Sequence, residues 1–521
     1  TNFILRLKYI GCNTLIPLVL KEKKANIIKL EFFTKHQRLF GFNYKNKKII
    51  IDSIEAEVFF KIKKTYIPLL ENSDAFSKKI INKKIYSDTK WITVKKLNKN
   101  NFLKNSKTIK GPAIFSDYNT TIVIEKNWSI KKLKTETFLL VKNQEKRRKY
   151  QSAKKSNPEM LEVFNNLFYS TAEQMGIVLR NTAQSINVKE RLDFSCALFN
   201  EKGELIANAP HIPIHLGAMS DTIKYLIKKH YNKLKKGTSL LHNNPFSGGT
   251  HLPDLTVVTP YLNKNNSKVL YYFANRAHHS DIGGISPGSM PAFSKNIHEE
   301  GIIFDGFPIL VNKRIKEKEI IKFLKNHATP SRDPYQNLYD IRAQLAANQK
   351  GINEIERIIN NYGPELVKKY VNYVQKNCRE IISKVLKNII SSNNFIKIDN
   401  GAIIKVKLYY NKIKKKLKID FSGRSKQLLN NFNAPEAVTK SVVIYFLRSL
   451  IENDIPLNEG FLKDVDIIIP KSSMLNPIYP APVVAGNVET SQNLIDLLNT
   501  TIKVQASCYG TMSNIAFGNK Y

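Results

Sequence analysis

The sequence predicts a mixed α/β (α+β) protein, in which a small β-rich N-terminal module precedes a large mixed α/β domain. Its 521 residues exceed what one hydrophobic core usually organises. Short β-branched and aromatic runs fill the first part of the chain, whereas helical and strand periodicities alternate in the rest. A hydrophobic content of 42% indicates a globular protein rather than a disordered one.

The N-terminal module is predicted at 1–143. Its strand-like runs lie at 48–52, 56–60 and 121–124. Residues 144–156 are polar and basic and have no apolar periodicity, which predicts a linker. The second domain is therefore expected at 157–521.

The second domain is predicted to open on a long helix. Asn157 is a suitable N-cap, Pro158 suits the first turn, and apolar residues then recur every three or four positions. Further elements are predicted in three segments: a hairpin at 194–206, a helical stretch at 335–376 interrupted at Gly363-Pro364, and a strand pair at 403–421.

Composition narrows the classes of partner. The net charge of +39 comes mostly from lysines spread from end to end, without aromatics and arginines interleaved in a stacking module. We therefore interpret the lysines as solvated faces and expect no nucleic-acid partner. The alternative, a basic nucleic-acid-binding protein, predicts tight, strongly salt-dependent binding to duplex or single strands. No run approaches the ~20 uncharged apolar residues of a membrane span, so no membrane association is expected.

The cysteines and the chain ends carry further expectations. Cys12, Cys196, Cys378 and Cys508 lie far apart without a CxxC pair. This spacing favours reduced, buried thiols in a soluble, cytoplasmic protein over disulfides or a zinc site. The chain begins at Thr1 and stops without an obvious closing element, so both ends are expected to be cut.

Two Gly-flanked segments, 248–254 and 275–284, each hold His and Asp close together. Imidazole and carboxylate ligands suit Zn, Mn or Fe(II), and the ends of two adjacent strands would bring them together. A lone histidine is more often a structural polar residue. Two His/Asp pairs in one Gly-rich region make a metal site as favoured as a structural role. The candidate ligands are His251, Asp254, His278 and His279.

Two other polar features accompany these candidate ligands. Asp281 is a candidate ligand or a partner that orients one. His211 and His215 would share one face of an extended segment, and for this pair a structural role is favoured over chemistry.

Ordered motifs from 156 to 521 resemble the hydantoinase B family. They include Gly-Gly-Thr-His-Leu-Pro-Asp at 248–254, Asn-Arg-Ala-His-His at 275–279 and Gly-Asn-Val-Glu-Thr-Ser-Gln at 486–492. Residues 1–143 resemble the carboxyl end of a hydantoinase A domain, although Cys12-Asn13 departs from the more usual Thr-Asp. The family's B domain extends beyond residue 521, so the domain is expected to be truncated at its C-terminus.

The resemblance implies ATP-dependent hydrolysis of a cyclic amide, and an A domain running into a B domain favours 5-oxoproline as the substrate and glutamate as the product. ATP with Mg would bind the front lobe of the A domain, which this sequence lacks. That lobe would phosphorylate the carbonyl oxygen, and the B half would deliver a metal-polarised water. The expected partners are the small-molecule substrate and an A-type lobe or subunit, in a homo- or hetero-oligomer.

Roles follow for three further residues. Arg191 and Arg276 are candidates for binding the substrate carboxylate or phosphate, because a guanidinium meets such groups bidentately. Asp281 and Arg276 are the candidate catalytic residues, with Asp281 orienting a ligand or accepting a proton. For either arginine taken singly, ordinary ion pairing is the competing role.

Other functions stay open at this point. An N-methylhydantoin hydrolase or a ketone carboxylase subunit would use the same machinery on another substrate. A catalytically inactive remnant or scaffold is the alternative of another class, and it predicts no stoichiometric metal.

Overall fold

The structure is a computed structural model, and it describes residues 2–10, 15–20, 24–40, 43, 47–58, 80–87, 90–98, 108–116, 120–133, 137–143, 157–209, 212–423, 425–451 and 457–507. The predicted linker at 144–156, together with Cys12, His211 and Cys508, lies outside these residues. The chain forms two compact units, one of Thr1–Val58 with Lys154–Tyr521 and one of Phe59–Ala153. Among the described helices, none combines the length and the apolar character that crossing a bilayer requires.

The smaller unit is built from two antiparallel-rich sheets. One sheet has the order β4-β5-β7-β8 and the other β10-β9-β6. Their strands are β4 (Ile81–Ser87), β5 (Lys90–Asn98), β6 (Thr108–Lys110), β7 (Ala113–Ser116), β8 (Thr121–Ile124), β9 (Trp128–Lys132) and β10 (Phe138–Lys142). Phe115, Ile124 and Ile130 are fully buried and form its core. The strand predicted at 121–124 is confirmed as β8.

The first 58 residues belong to the larger unit. They form a sheet of order β2-β1-β3 and one helix: β1 (Asn2–Tyr9), β2 (Ile16–Val19), α1 (Ala25–Phe40) and β3 (Ile49–Glu57). The two predicted strands at 48–52 and 56–60 are one strand, β3, as far as the described residues reach. Tyr9 and Phe32 form a buried cluster that includes Ala346 from the C-terminal part of the chain. This shared core groups 1–58 with the large domain, a long-range contact that local sequence patterns do not reveal.

A seven-stranded sheet forms the centre of the larger unit, in the order β12-β11-β15-β14-β13-β16-β17. Its neighbouring strands are all antiparallel. The strands are β11 (Phe194–Asn200), β12 (Leu205–Asn208), β13 (Ser239–His242), β14 (Asp254–Leu262), β15 (Val269–His278), β16 (Phe307–Val311) and β17 (Arg314–Ile315). The predicted hairpin at 194–206 is confirmed as β11 and β12.

Helices and a second sheet cover the two faces of this sheet. The helices are α2 (Pro158–Thr182), α3 (Ile186–Lys189), α4 (His215–His230), α5 (Glu317–Lys325), α6 (Pro334–Tyr362), α7 (Pro364–Leu386), α8 (Glu436–Ser449) and α9 (Glu489–Ile502). The second sheet has the order β18-β19-β20-β21, with β18 (Ser392–Lys397), β19 (Ile403–Asn411), β20 (Lys416–Asp420) and β21 (Val465–Ile468). The predicted helix at 158, the interruption at Gly363 and the strand pair at 403–421 are all confirmed.

The two faces of the seven-stranded sheet differ in what they contact. Phe194 and Phe273 face α2 and α6, whereas Ala197 and Val258 face α4 and the second sheet. Because directly opposed residues of antiparallel strands share a face, the register aligns one polar row on the α4 side. That row consists of Ser195, Arg276, Thr256 and His242. Asp254 and His278 form the next pair along the same face.

Candidate metal centre

Three side chains converge where β14 begins and β15 ends. Asp254 Oδ1 lies 3.1 Å from His251 Nε2 and 3.1 Å from His278 Nδ1. The two imidazole nitrogens are themselves 3.1 Å apart. Asp254 and His278 are opposed in register, and His251 lies one turn before Asp254. The sequence predicted these three residues as ligands, and the fold brings them together.

The turn that carries His251 depends on two glycines. Gly248 has a φ of 95°, and a Cβ there would lie 2.3 Å from the backbone nitrogen of Thr222. A Cβ on Gly249 would lie 2.4 Å from the carbonyl oxygen of Asn243. Only glycine fits such close backbone contacts. The pair therefore lets segment 248–254 pack tightly against α4 and the end of β13.

The geometry fits a divalent cation. Ligands held about 2.0–2.1 Å from one ion at tetrahedral or octahedral angles are separated by roughly 2.8–3.4 Å, a range that includes the observed 3.1 Å. Two imidazoles and one carboxylate are ligands used by catalytic Zn and by non-haem Fe(II). Among the described residues, His251, Asp254 and His278 form the one group of three whose ligand atoms all lie within 4.8 Å of one another.

Neighbouring side chains hold the far oxygen of Asp254. Thr250 Oγ1 donates to Asp254 Oδ2 over 2.5 Å, and His215 Nε2 lies 3.3 Å from the same oxygen. The other ring nitrogen of His215 is 3.0 Å from Ser195 Oγ. Oδ2 is therefore fixed by the fold while Oδ1 faces the two ligand histidines. His215, favoured above as structural, and Thr250, which sequence reasoning did not single out, thus orient the carboxylate.

Charge keeps this carboxylate ionised. Burial alone would raise the pKa of Asp254, but the charges of His251 and His215 and hydrogen bonds from both hold it well below its usual range. Burial likewise opposes protonation of His278, yet Asp254 and Asp193 raise its pKa overall. An anionic carboxylate between two imidazoles is the ligand pattern expected for a divalent cation.

His279 and Asp281 lie outside the convergent group. His279 follows the last residue of β15 and points to the opposite face, where its nitrogens contact Gln344 Oε1 and Asn337 Nδ2, each over 3.1 Å. Asp281 accepts from the backbone of Gly283 and Gly288 and forms an ion pair of 2.8 Å with Arg332. Neither side chain reaches Asp254. The structure therefore does not place His279 or Asp281 among the metal ligands, and both contact neighbouring loops and helices instead.

Arg276 is fully buried, and it lies two residues before His278 on the same face of the sheet. Its guanidinium donates to Thr256 Oγ1, Thr222 Oγ1 and the carbonyl oxygen of Gly248. Burial lowers its pKa to about 10, against the charges of Asp254 and Asp221. A guanidinium with no exposed surface contacts no substrate in this arrangement. It anchors the Gly248 turn and places a positive charge near Asp254.

The centre opens to solvent on one side. The side chain of His278 is 12% exposed, and Asp193 Oδ2 lies 4.0 Å from its Nδ1 with 32% exposure. Arg191 is exposed in the turn before β11, and its charge acts on His278. Solvent therefore reaches His278 from the side that carries Asp193 and Arg191.

These features define a protein with a candidate two-histidine, one-carboxylate metal centre at the ends of two central strands of an antiparallel sheet. The sequence profile described as Hydantoinase B/oxoprolinase matches residues 157–521. The chain belongs to the hydantoinase B/oxoprolinase family.

Two curated relatives match nearly the whole chain. A 5-oxoprolinase of Saccharomyces cerevisiae is 38% identical, over 99% of this chain and 42% of that protein. The 5-oxoprolinase 1 of Arabidopsis thaliana is 37% identical, over 100% of this chain and 43% of that protein. The chain thus spans less than half the length of these relatives.

Solved structures share the fold at low identity. An ATP-dependent caprolactamase from Pseudomonas jessenii aligns with a TM-score of 0.60 and 20% identity, covering 67% of this chain and 60% of that chain. A nucleotide-free acetone carboxylase aligns with a TM-score of 0.59 and 16% identity, covering 66% and 48%.

Proposed function

We propose that this chain supplies the hydrolytic half of an ATP-dependent enzyme that opens a cyclic amide, with 5-oxoproline as substrate and glutamate as product. The observation that carries the proposal is the triangle of Asp254, His251 and His278, with 3.1 Å between each pair of ligand atoms. Its substrate class is supported by the 5-oxoprolinase relatives, which are 37–38% identical over almost the entire chain.

The chemistry explains why such a centre is needed. Amide resonance makes the lactam carbonyl a poor electrophile and its nitrogen a poor leaving group. Phosphorylation of the carbonyl oxygen by ATP weakens that resonance. A bound Mn, Zn or Fe(II) ion would lower the pKa of water and stabilise the developing oxyanion. His251, Asp254 and His278 would hold it.

The surrounding side chains have distinct tasks in this proposal. Thr250 and His215 fix the orientation of Asp254 through its far oxygen. Arg191, at the exposed edge, attracts the carboxylate of the substrate. Asp193 Oδ2 lies 4.0 Å from His278 Nδ1 on the exposed side, and we assign it the role of proton acceptor. Asp281 is less suited to this role, because four hydrogen bonds already hold its carboxylate.

ATP and Mg are proposed to bind an A-type lobe or subunit rather than this chain, because no dinucleotide or Walker motif occurs in its sequence. The chain would then act within a homo- or hetero-oligomer. A cytoplasmic location suits the free, buried thiols of Cys196 and Cys378.

The test combines the chain with an A-type ATP-binding partner, Mg, ATP and 5-oxoproline, and measures glutamate and ADP. We expect glutamate to form, and Asp254→Asn to reduce it more than about 100-fold while ATP is still hydrolysed. Unchanged glutamate formation by this variant would refute the assignment.

The same assay separates the alternatives. N-methylhydantoin, and acetone with bicarbonate, replace 5-oxoproline in parallel reactions, since the fold is shared with a caprolactamase and an acetone carboxylase. Turnover of one of these alone would reassign the substrate. No product from any of them, together with no stoichiometric metal, would indicate an inactive scaffold.

A further inference from the structure

A buried serine lies two polar contacts away from the candidate metal ligands. Ser195 is 1% exposed, and its Oγ lies 3.0 Å from His215 Nδ1. The other ring nitrogen of His215, Nε2, lies 3.3 Å from Asp254 Oδ2. Ser195, His215 and Asp254 therefore form a chain of contacts that ends on the far oxygen of a candidate metal ligand. The proposed function gives Ser195 no task.

The hydroxyl and the imidazole come from two different elements. Ser195 lies on β11 and is opposed in register to Arg276, on the sheet face that also carries Asp254. Ala197, two residues further along the same face, packs in one core with Met219 of α4. Because His215 is the first residue of α4, packing of this helix on the sheet brings its ring to Ser195.

Backbone groups fix the position of the hydroxyl. The backbone nitrogen of Ile212 donates to Ser195 Oγ over 3.3 Å. The carbonyl oxygen of Ile212 in turn accepts from the backbone nitrogen of His215 over 3.1 Å. Ser195 therefore contacts both the turn that leads into α4 and the ring that the turn carries.

Burial makes the contact with Ser195 important for the ring. His215 is 1% exposed, so bulk water does not pair with its nitrogens. Buried polar groups normally have a hydrogen-bond partner, and Ser195 Oγ is the one that the described part of the chain offers to Nδ1. A hydroxyl can donate or accept, so it suits Nδ1 whether or not this nitrogen carries a hydrogen.

The two contacts together select one orientation of the ring. Rotation of the imidazole by half a turn about its Cβ–Cγ bond exchanges Nδ1 with Cδ2 and Nε2 with Cε1. The rotated ring would place carbon atoms against both Ser195 and Asp254 and would lose both hydrogen bonds. Without the hydroxyl of Ser195, only the contact with Asp254 would oppose this rotation.

We propose that Ser195 is a positioning residue that acts on the metal centre through His215. It holds the ring so that Nε2 meets Asp254 Oδ2, which keeps Oδ1 directed at the site of the ion. This role rests on the proposed function, because the metal centre is part of it. Thr250 also holds Oδ2, so loss of the serine hydroxyl weakens metal binding without abolishing it.

Metal titration of Ser195→Ala, monitored by calorimetry, tests this role. We expect Mn or Zn to bind about 10-fold more weakly, at the lower end of the range for outer partners. Ser239→Ala is the matched control, because Ser239 is a buried serine of the same sheet whose hydroxyl pairs with Thr259 Oγ1 over 2.8 Å. Thr259 lies five residues along β14 from Asp254, roughly 17 Å at the rise of a strand.

The control should bind metal within about 2-fold of the wild type, since distant sites act independently. Unchanged affinity in Ser195→Ala, or an equal loss in Ser239→Ala, would overturn the inference.

A double variant shows whether Ser195 acts through His215. Glutamine at position 215 keeps a donor near the place of Nε2 but has no group at the place of Nδ1. In the His215→Gln background, Ser195→Ala should therefore change metal affinity by less than about 2-fold. A serine that only stabilises the fold would cause the same loss in both backgrounds, and that result would contradict the inference.

The orientation of the ring is also measurable in the metal-free protein. In protein labelled with ¹⁵N at histidine, the signals of His215 are assigned by their loss in His215→Gln. We expect one ring state in the wild type and in Ser239→Ala, and a second or broadened state in Ser195→Ala. A wild-type crystal structure with the ring turned away from Ser195 would overturn the inference even if Ser195→Ala does not fold.

These measurements separate this inference from the proposed function. Metal binding by the wild type, with affinity and ring signals unchanged in Ser195→Ala, would leave the metal centre standing and remove the role of Ser195. A wild type that binds no metal, but whose single ring state is lost in Ser195→Ala, would keep the positioning of His215 and overturn the metal centre.

Discussion

Two clusters of two histidines and one aspartate lie in the described part of the large domain, and they differ in whether their side chains can bind one metal ion. In the first, His251, Asp254 and His278 place three ligand atoms at 3.1 Å from one another. In the second, Asp305 Oδ1 lies 3.5 Å from His242 Nδ1 and 4.0 Å from His230 Nε2. Residue composition is the same in both, but only the first converges on a point that one ion can fill.

In the second cluster, a lysine ammonium group already pairs with the aspartate. Lys229 Nζ lies 2.8 Å from Asp305 Oδ2, and the hydroxyl of Tyr225 donates to the same oxygen over 3.0 Å. At the first cluster the corresponding oxygen of Asp254 is held by Thr250 and His215. The ammonium of Lys229 therefore makes the second cluster an ion pair. In the first cluster Thr250 and His215 take the place of the lysine, which leaves Asp254 available to a metal ion.

The largest expected effect is a contrast between the two aspartates. Asp254→Asn should weaken binding of Mn or Zn more than about 100-fold, beyond the 10–100-fold typical of outer partners, because it removes a ligand. Asp305→Asn is the matched control and should leave metal affinity unchanged. Metal titration monitored by calorimetry checks both. Equal losses of metal affinity in the two variants would show that the two clusters do not differ in metal binding.

The buried carboxylate of Glu300 sharpens the comparison, because neither a candidate metal ligand nor a Lys or Arg side chain pairs with it among the described residues. Burial raises the pKa of Glu300 to about 7, although Ser294 and the backbone of Val483 and Val484 donate to it. A raised acid pKa contributes stability below its usual 4.5 that is lost as pH rises through about 7.

Glu300→Gln should therefore remove a pH-dependent loss of about 3 kcal/mol in the free energy of unfolding between those two pH values. Denaturant unfolding at several pH values measures it. A slope identical to that of the wild type would show that Glu300 stays ionised in the fold.

The role of His215 makes the next prediction. His215→Leu should weaken metal binding about 10–100-fold by freeing the far oxygen of Asp254, and His215→Gln should restore part of the loss by keeping a donor. His230→Gln, in the second cluster, is the control and should bind metal normally. An unaffected His215→Leu variant would reduce His215 to a packing residue.

The smallest effect concerns stability at the second cluster. Asp305→Asn should lower the free energy of unfolding by about 1–2 kcal/mol at pH 7, through lost contacts with Lys229 and Tyr225. Contact with His242 and the hydrogen bonds from Lys229 and Tyr225 lower the pKa of Asp305, so its contribution is present above its usual 3.8 and is lost as pH falls below that value. Acid unfolding of the variant should be correspondingly shallower. An acid transition as steep as that of the wild type would contradict this role.

Local signals predicted much of the fold. Asn157 caps α2 by accepting from the backbone of Glu159 and Met160, as the sequence indicates. Grouping of residues 1–58 with the large domain depends on a buried cluster shared by Phe32 and Ala346, which are more than 300 positions apart in sequence. Such pairs have no local signature.

The sequence predicted the part of the candidate site that follows from strand geometry. His251, Asp254 and His278 lie at strand ends that the register brings together. His279 follows directly in sequence, and alternation along a strand sends it to the other face. The contact of His215 with Asp254 joins positions 39 residues apart, and the spacing of His211 and His215 alone does not indicate it.

The most direct test of the metal centre compares two adjacent histidines. Wild-type protein, His278→Gln and His279→Gln are each loaded with Mn or Zn, desalted and analysed for metal content. We predict about one ion per chain in the wild type and in His279→Gln, and none in His278→Gln. Full metal content in His278→Gln, or equal loss in both variants, would contradict a centre built from His251, Asp254 and His278.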